Sequence, residues 1–178
     1  MPGGPSHRPT QKSNPDHGLA RGGPSTLDGM TPFEELQSAV GTELGVSEWM
    51  LIDQARINLF TEATDDPQWI HIDEERAAAG PFGATIAQGY LTMSLLVPLT
   101  AQIPLPVSTK PRMVVNYGLD RLRFPSPVRV DSRVRARVDM LDVSDTGNGI
   151  QLTRKVTVEI EGEDKPAAVA KTLTRVFY

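Results

Sequence analysis

The chain has 178 residues, 39% hydrophobic, with a formal net charge of −4 and no cysteine. At about 100–200 residues per domain this is one domain; the missing cysteines exclude thiol nucleophiles, disulfides and thiolate metal sites. The acidic balance argues against wholesale nucleic-acid binding, and no apolar run approaches the ~18 residues of a membrane span, so a soluble, cytoplasmic protein is expected.

Residues Met1 to Gly29 hold Pro2, Pro5, Pro9, Pro15 and Pro24, many glycines, and little apolar beyond Leu19 and Leu27. Such a stretch cannot bury enough surface to offset its ordering entropy, so residues 1–29 are expected to be a disordered tail and 30–178 the folded domain. It has neither the apolar h-region of a secretory signal nor the Arg-rich amphipathicity of a transit peptide. Met30 directly precedes the first helix signal and reads as an alternative start.

Thr31-Pro32-Phe33-Glu34 is a capping box with proline at the first helical position, predicting a helix to about Val40, stopped by Gly41. Glu43 to Ile52 reads as extended. Asp53 then caps a second helix whose Ile57, Leu59, Phe60 and Ala63 supply apolar surface, ending before Pro67. Asp73 to Ala79 suits one or two helical turns closed by Gly80. After the loop Gly80-Pro81-Phe82-Gly83, Ile86 to Leu99 is the most continuously apolar stretch. It predicts a helix buried in the middle of the fold, kinked or ended by Pro98. Val114–Phe124, Val128–Val143, Ile150–Gly162 and Pro166–Phe177 carry period-2 alternation and predict strands with one buried face. Asp145 to Gly149 and Glu161 to Asp164 look like hairpin turns. Helices followed by antiparallel strands make an α+β domain, with one long helix packed on a curved sheet.

His71 is the only histidine outside the tail, and it closes the run Thr64-Asp65-Asp66-Pro67-Gln68-Trp69-Ile70-His71. Histidine can act as acid or base near neutral pH, and a carboxylate beside an imidazole can share a water for general acid–base catalysis. Structural pairs produce the same neighbours, so composition leaves both readings open. A metal site at Asp65, Asp66, His71 and Asp73 lacks the second histidine such sites usually draw on. No G-x-S-x-G motif marks a Ser-His-Asp triad.

The segment Phe60 to Asp73 resembles the T-G-D-x-N-P-x-H-x-D signature of the MaoC-like, R-specific enoyl-CoA hydratases (hydratase 2). Phe82-Gly83-Ala84-Thr85-Ile86-Ala87-Gln88-Gly89 is similar to that family's F-x-x-x-I-A-H-G motif. Asn116-Tyr117-Gly118 and Arg121 to Val128 resemble its later strand pair. The likeness runs over about residues 40 to 178 and is nearest to the single-domain, nodulation-protein-N-like subgroup. It implies a hotdog fold, a long central helix wrapped by a curved antiparallel sheet, paired into a homodimer. It also implies reversible hydration of a trans-2-enoyl thioester to the (3R)-3-hydroxyacyl form, with the coenzyme A or acyl carrier protein portion belonging to the substrate and no separate cofactor.

Carried over by position, Asp66 and His71 match the catalytic pair, and Gly89 the backbone donor to the thioester carbonyl. Gln88, Trp69, Gln68 and Arg123 are the further substrate-binding candidates. Arg121 and Arg123 can meet coenzyme A phosphates or form a solvated strand face, and Tyr117 reads as core. Asp65 replaces the motif's glycine, Gln68-Trp69 its Asn-Pro region, and Gln88 the histidine of I-A-H-G; a serine of some members falls at Val97. The alternatives within this reading are a hotdog thioesterase and a silent acyl-thioester binder.

Overall fold

A computed structural model describes residues 29–178 together with Gly4; the expected tail otherwise lies outside the described residues. The capping box forms as read. Thr31 caps α1 (Pro32–Ser38), its side chain accepting from the Glu34 N–H while the Glu34 carboxylate takes the Thr31 N–H at 2.8 Å. The extended segment divides into β1 (Glu43–Val46) and β2 (Met50–Ile52). Asp53 caps α2 (Gln54–Thr64) through a 2.9 Å bond from the Arg56 N–H. Of the apolar residues expected to pack on α2, Ile57 is fully buried, while Leu59 and Ala63 face solvent. Two single-turn helices follow, α3 (Trp69–Ile72) and α4 (Glu74–Ala78).

The apolar helix differs from expectation. It begins at Gly89, because 85–87 are extended: Ala87 N–H donates to the Val128 carbonyl and Val130 N–H to the Thr85 carbonyl. It is also short and interrupted, as α5 (Gly89–Ser94) and α6 (Leu96–Thr100). Pro98 has no N–H to offer the Ser94 carbonyl, so the ladder breaks one turn before it. Nor is it buried on all sides. Leu91, Leu95, Leu96 and Leu99 face the core, whereas Tyr90 and Val97 are 68% and 53% exposed.

The strands are β3 (Met113–Arg123), β4 (Ser132–Asp145), β5 (Ile150–Ile160) and β6 (Ala168–Phe177). Val128-Arg129-Val130, expected to open β4, instead pairs with the segment before α5, and the turn at Asp131 (φ 64°) separates it from the strand. Asn116 to Gly118 and Arg121 to Arg123 fall on one strand, β3, rather than on a pair. The sheet is antiparallel in the order β1-β4-β5-β6-β3, with β2 also on β4. One face of β4, β5 and β6 presents Val134, Ala136, Val138, Val156, Val158, Ala168 and Ala170 to α5–α6 and to Ile57 of α2, forming the main core. A smaller cluster of Leu36, Met140, Val143, Ile150, Leu152 and Val176 lies under α1. This is the α+β arrangement, sheet against helix, that the family resemblance implies.

β3 departs from the pattern of its neighbours. All its residues except Leu122 are exposed, Tyr117 among them at 55%. Tyr117 is therefore not core; the Arg175 guanidinium lies 3.7 Å from its ring centroid. Among the described residues no helix is long and apolar enough to cross a membrane.

Candidate active site

The loop carrying the acid–base candidates is shaped by three local signals. Asp65 ends α2 in the left-handed conformation (φ 51°, ψ 42°), its N–H returning to the Thr61 carbonyl. Glycine takes this position most easily, and Asp or Asn are the usual substitutes. The motif's glycine is thus explained as a helix cap, and Asp65 as a backbone replacement for it. Asp65→Ala is expected to cost about 1 kcal/mol while Asp65→Gly is neutral or slightly stabilising, as thermal melting of the two variants will show. Pro67 prevents the helix from resuming, and α3 then lifts His71 back toward the core, with its N–H on the Gln68 carbonyl at 2.9 Å.

His71 is buried, 6% exposed, and held at both ends. Its Nδ1 lies 2.6 Å from the Ile86 carbonyl, and the Ile86 N–H donates to the Ile70 carbonyl at 3.0 Å. A carbonyl only accepts, so Nδ1 carries a proton, and the tautomer this selects has its lone pair on Nε2. That nitrogen faces Asp66 Oδ2 at 3.9 Å, with the Asp66 side chain 38% exposed. The gap is too long for a direct hydrogen bond and suits one bridging water.

Gln54 fixes the same region from α2. Its Nε2 donates to the His71 carbonyl at 2.7 Å, and its Oε1 accepts from Thr85 Oγ1 at 2.5 Å. Neither Gln54 nor Thr85 stood out in the sequence, because a Gln at a helix start has no local mark of a partner 31 residues away.

The segment 85–88 links this pair to the start of α5. Gln88 is buried, its Nε2 donating to Thr61 Oγ1 at 2.7 Å and, more weakly, to the Ile57 carbonyl at 3.4 Å. Its Oε1 is buried without a partner. Gln88 therefore pins α2 to the N-terminus of α5, a positioning role. Gln88→Ala is expected to lower stability by about 1–3 kcal/mol, since a buried amide and its partners lose their bonds; denaturant melts measure this.

Gly89 is the first residue of α5, where N–H groups have no intrahelical acceptor. Among the described residues no backbone carbonyl accepts from its N–H. A Cβ added at Gly89 would sit 3.1–3.3 Å from the Phe124 ring, so a side chain fits only if that ring moves. Trp69 stands between Arg76, whose guanidinium is 4.3 Å from its ring centroid, and Gly80, where an added Cβ would sit 3.0–3.1 Å from the Trp69 ring. Gln68 caps α3 without a side-chain bond and is exposed. Arg123 ends β3, exposed, with Nη1 on the Leu122 carbonyl. The fold thus joins Asp66 with His71 and ties Gln88 and Gly89 to them through 85–88. Gln68 and Arg123 lie on the periphery.

Two adjoining cavities of about 390 and 630 Å³ run along α5–α6 beneath the sheet. Neither is lined by Asp66 or His71; they share Val97, Thr100, Asn116, Arg154 and Thr174.

Residues 35–161 match the model of the MaoC like domain family. The chain is 50% identical over 150 residues to 3-hydroxyacyl-thioester dehydratase Z of Mycobacterium tuberculosis, covering 82% of this chain and 98% of that protein. It is 46% identical over 146 residues to nodulation protein N of Rhizobium leguminosarum bv. viciae, covering 81% and 90%. In fold it is similar to the (R)-hydratase from A. caviae involved in PHA biosynthesis, with a TM-score of 0.62 at 23% identity over 76% of this chain and 94% of that one.

Proposed function

As a member of the MaoC-like domain family, this chain is a hydro-lyase of the hydratase/dehydratase type, and we propose that it reversibly adds water to a trans-2-enoyl thioester to form the (3R)-3-hydroxyacyl thioester. The observation that carries the mechanism is the 3.9 Å separation of His71 Nε2 and Asp66 Oδ2, with the other ring nitrogen committed to Ile86. Water donates one hydrogen to Nε2 and one to Oδ2, which leaves an oxygen lone pair free to attack the β-carbon. As the C–O bond forms, the C=C electrons move toward the thioester oxygen. The Gly89 N–H, at a helix N-terminus, stabilises that charge. The pair takes one proton from the attacking water and delivers one to the α-carbon, so the addition balances as hydroxyl on Cβ and hydrogen on Cα. Nothing in this cycle calls for a cofactor, and coenzyme A or acyl carrier protein enters as part of the substrate. Its place is the cytoplasm.

The working unit in this reading is a homodimer. β3 has β6 on one side only, and it exposes Val114, Val115, Tyr117 and Leu119 along an open edge. Such an edge invites a second strand, and Tyr90, Val97 and Phe124 extend the exposed apolar surface beside it.

The test follows the enoyl chromophore and free thiol together after mixing purified protein with trans-2-enoyl-CoA. Loss of chromophore without thiol release is the expected result. Thiol release would make the protein a thioesterase, and binding without turnover a silent acyl-thioester protein; either would overturn the proposal.

A further inference from the structure

Arg154 sits where the pattern of β5 calls for an apolar residue. Leu152 and Val156, its neighbours on the same face, are fully buried. Among the described residues its guanidinium makes one hydrogen bond, Nη2 to Thr174 Oγ1 at 2.9 Å, and its Nε is buried without a partner. No carboxylate among the described residues pairs with it. Burial pushes its pKa below the ordinary arginine range. An unpaired cation in such a place is costly.

The surroundings are built to match. Register puts Thr172 opposite Arg154 on β6, and Asn116 of β3 opposite Thr174, so polar side chains converge on this face of the sheet. Both cavities along α5–α6 open onto Asn116, Arg154 and Thr174, and the smaller one also onto Thr172, with Val97 and Thr100 as the facing wall. Along a helix rising about 1.5 Å per residue, this wall lies roughly 12–16 Å from Gly89.

We infer that Arg154 recognises a carboxylate at the far end of the substrate's acyl chain, making ω-carboxyacyl thioesters the preferred class. The inference rests on the reading of Gly89 as the thioester-carbonyl site, from which the acyl chain follows α5–α6 into the cavities. A carboxylate there engages the Nη hydrogens that Thr174 leaves free, the fork geometry that favours arginine over lysine, with Asn116 and Thr172 beside it. A plain alkyl end would leave the guanidinium desolvated and unpaired.

Calorimetry with saturated acyl-CoAs of matched length, with and without a terminal carboxylate, tests this whether or not the protein turns over enoyl substrates. The wild type is expected to bind the carboxylated member of the best-fitting pair about 10- to 100-fold more tightly, as for a charge-assisted hydrogen bond gained. Arg154→Met, which keeps length and gains apolar character, should remove or reverse the preference, melt at or above the wild-type temperature, and bind the plain chain at least as well. Arg154→Lys should retain part of the preference. Equal or better binding of plain chains by the wild type across the length series would overturn the inference. So would an unchanged preference in Arg154→Met, or loss of the dimer in that variant without altered selectivity, which would assign the arginine to subunit pairing. Failure of hydration with the carboxylate preference intact would count against the hydratase reading alone.

Discussion

Asp66→Asn and His71→Ala are each expected to lower kcat for enoyl hydration by about two orders of magnitude or more, and the two should differ in what else they lose. Asp66 is over a third exposed, and its carboxylate makes no direct hydrogen bond to His71 at 3.9 Å. An isosteric amide there removes an acceptor for the attacking water and leaves packing unchanged, so the melting temperature should stay within a degree or two of the wild type. His71 is buried, and its ring satisfies the Ile86 carbonyl. Truncation opens a cavity and orphans that carbonyl, costing about 2 kcal/mol or more. His71→Asn, whose side-chain N–H₂ can still donate to Ile86, should recover part of the stability and little of the activity. Stopped-flow loss of the enoyl chromophore, with thermal melts on the same samples, reads both effects. Near-normal turnover in Asp66→Asn and His71→Ala would sink the assignment of the pair.

Val115→Pro is expected to convert the proposed dimer into monomers and to reduce kcat/KM at least about tenfold. Arg112, just before β3, donates its N–H to the Phe177 carbonyl at 2.8 Å. Donors alternate in direction along an antiparallel strand, so the Met113 and Val115 N–H groups point to the open edge. Proline at such a position spares the bonds to β6 while removing a donor on the free side. The variant should therefore remain folded by circular dichroism and fail to pair, whereas Val115→Thr pairs normally. Activity falls because Val97 and the uncovered face of β3 border the α5–α6 cavities; losing the proposed second copy opens them to water. Sedimentation velocity decides the matter: a dimer persisting in Val115→Pro would move the interface elsewhere.

The helix termini were the most legible parts of the chain. Thr31 with Glu34, and Asp53 with Arg56, act over three residues, so their geometry follows from local chemistry. The three long hairpin strands β4, β5 and β6 were legible for a related reason, since alternation reports a sheet with one buried face. β3 carried comparable strand-forming residues and gave no sign that it would lie open on both faces. The apolar run from Ile86 misled in the same way. Its hydrophobicity was read as burial inside one chain, yet Tyr90 and Val97 are exposed, and 85–87 are held extended by Val128 and Val130.

What the sequence determined by itself is the identity of the chemical groups: one folded-region histidine, a carboxylate five residues before it across a proline, and a glycine before an apolar run. Side-chain chemistry and short-range spacing carry that information without a fold. The tertiary structure decided how those groups are presented. It set which ring nitrogen of His71 is free, because Ile86 comes from another segment. It made Asp65 a left-handed cap and Gln88 a tie to Thr61. It also turned Arg154, one of several arginines on alternating strands, inward beneath α5–α6 without a counter-ion among the described residues. Each of these depends on contacts between residues far apart in the chain, where local propensity has no influence and only packing chooses the neighbour.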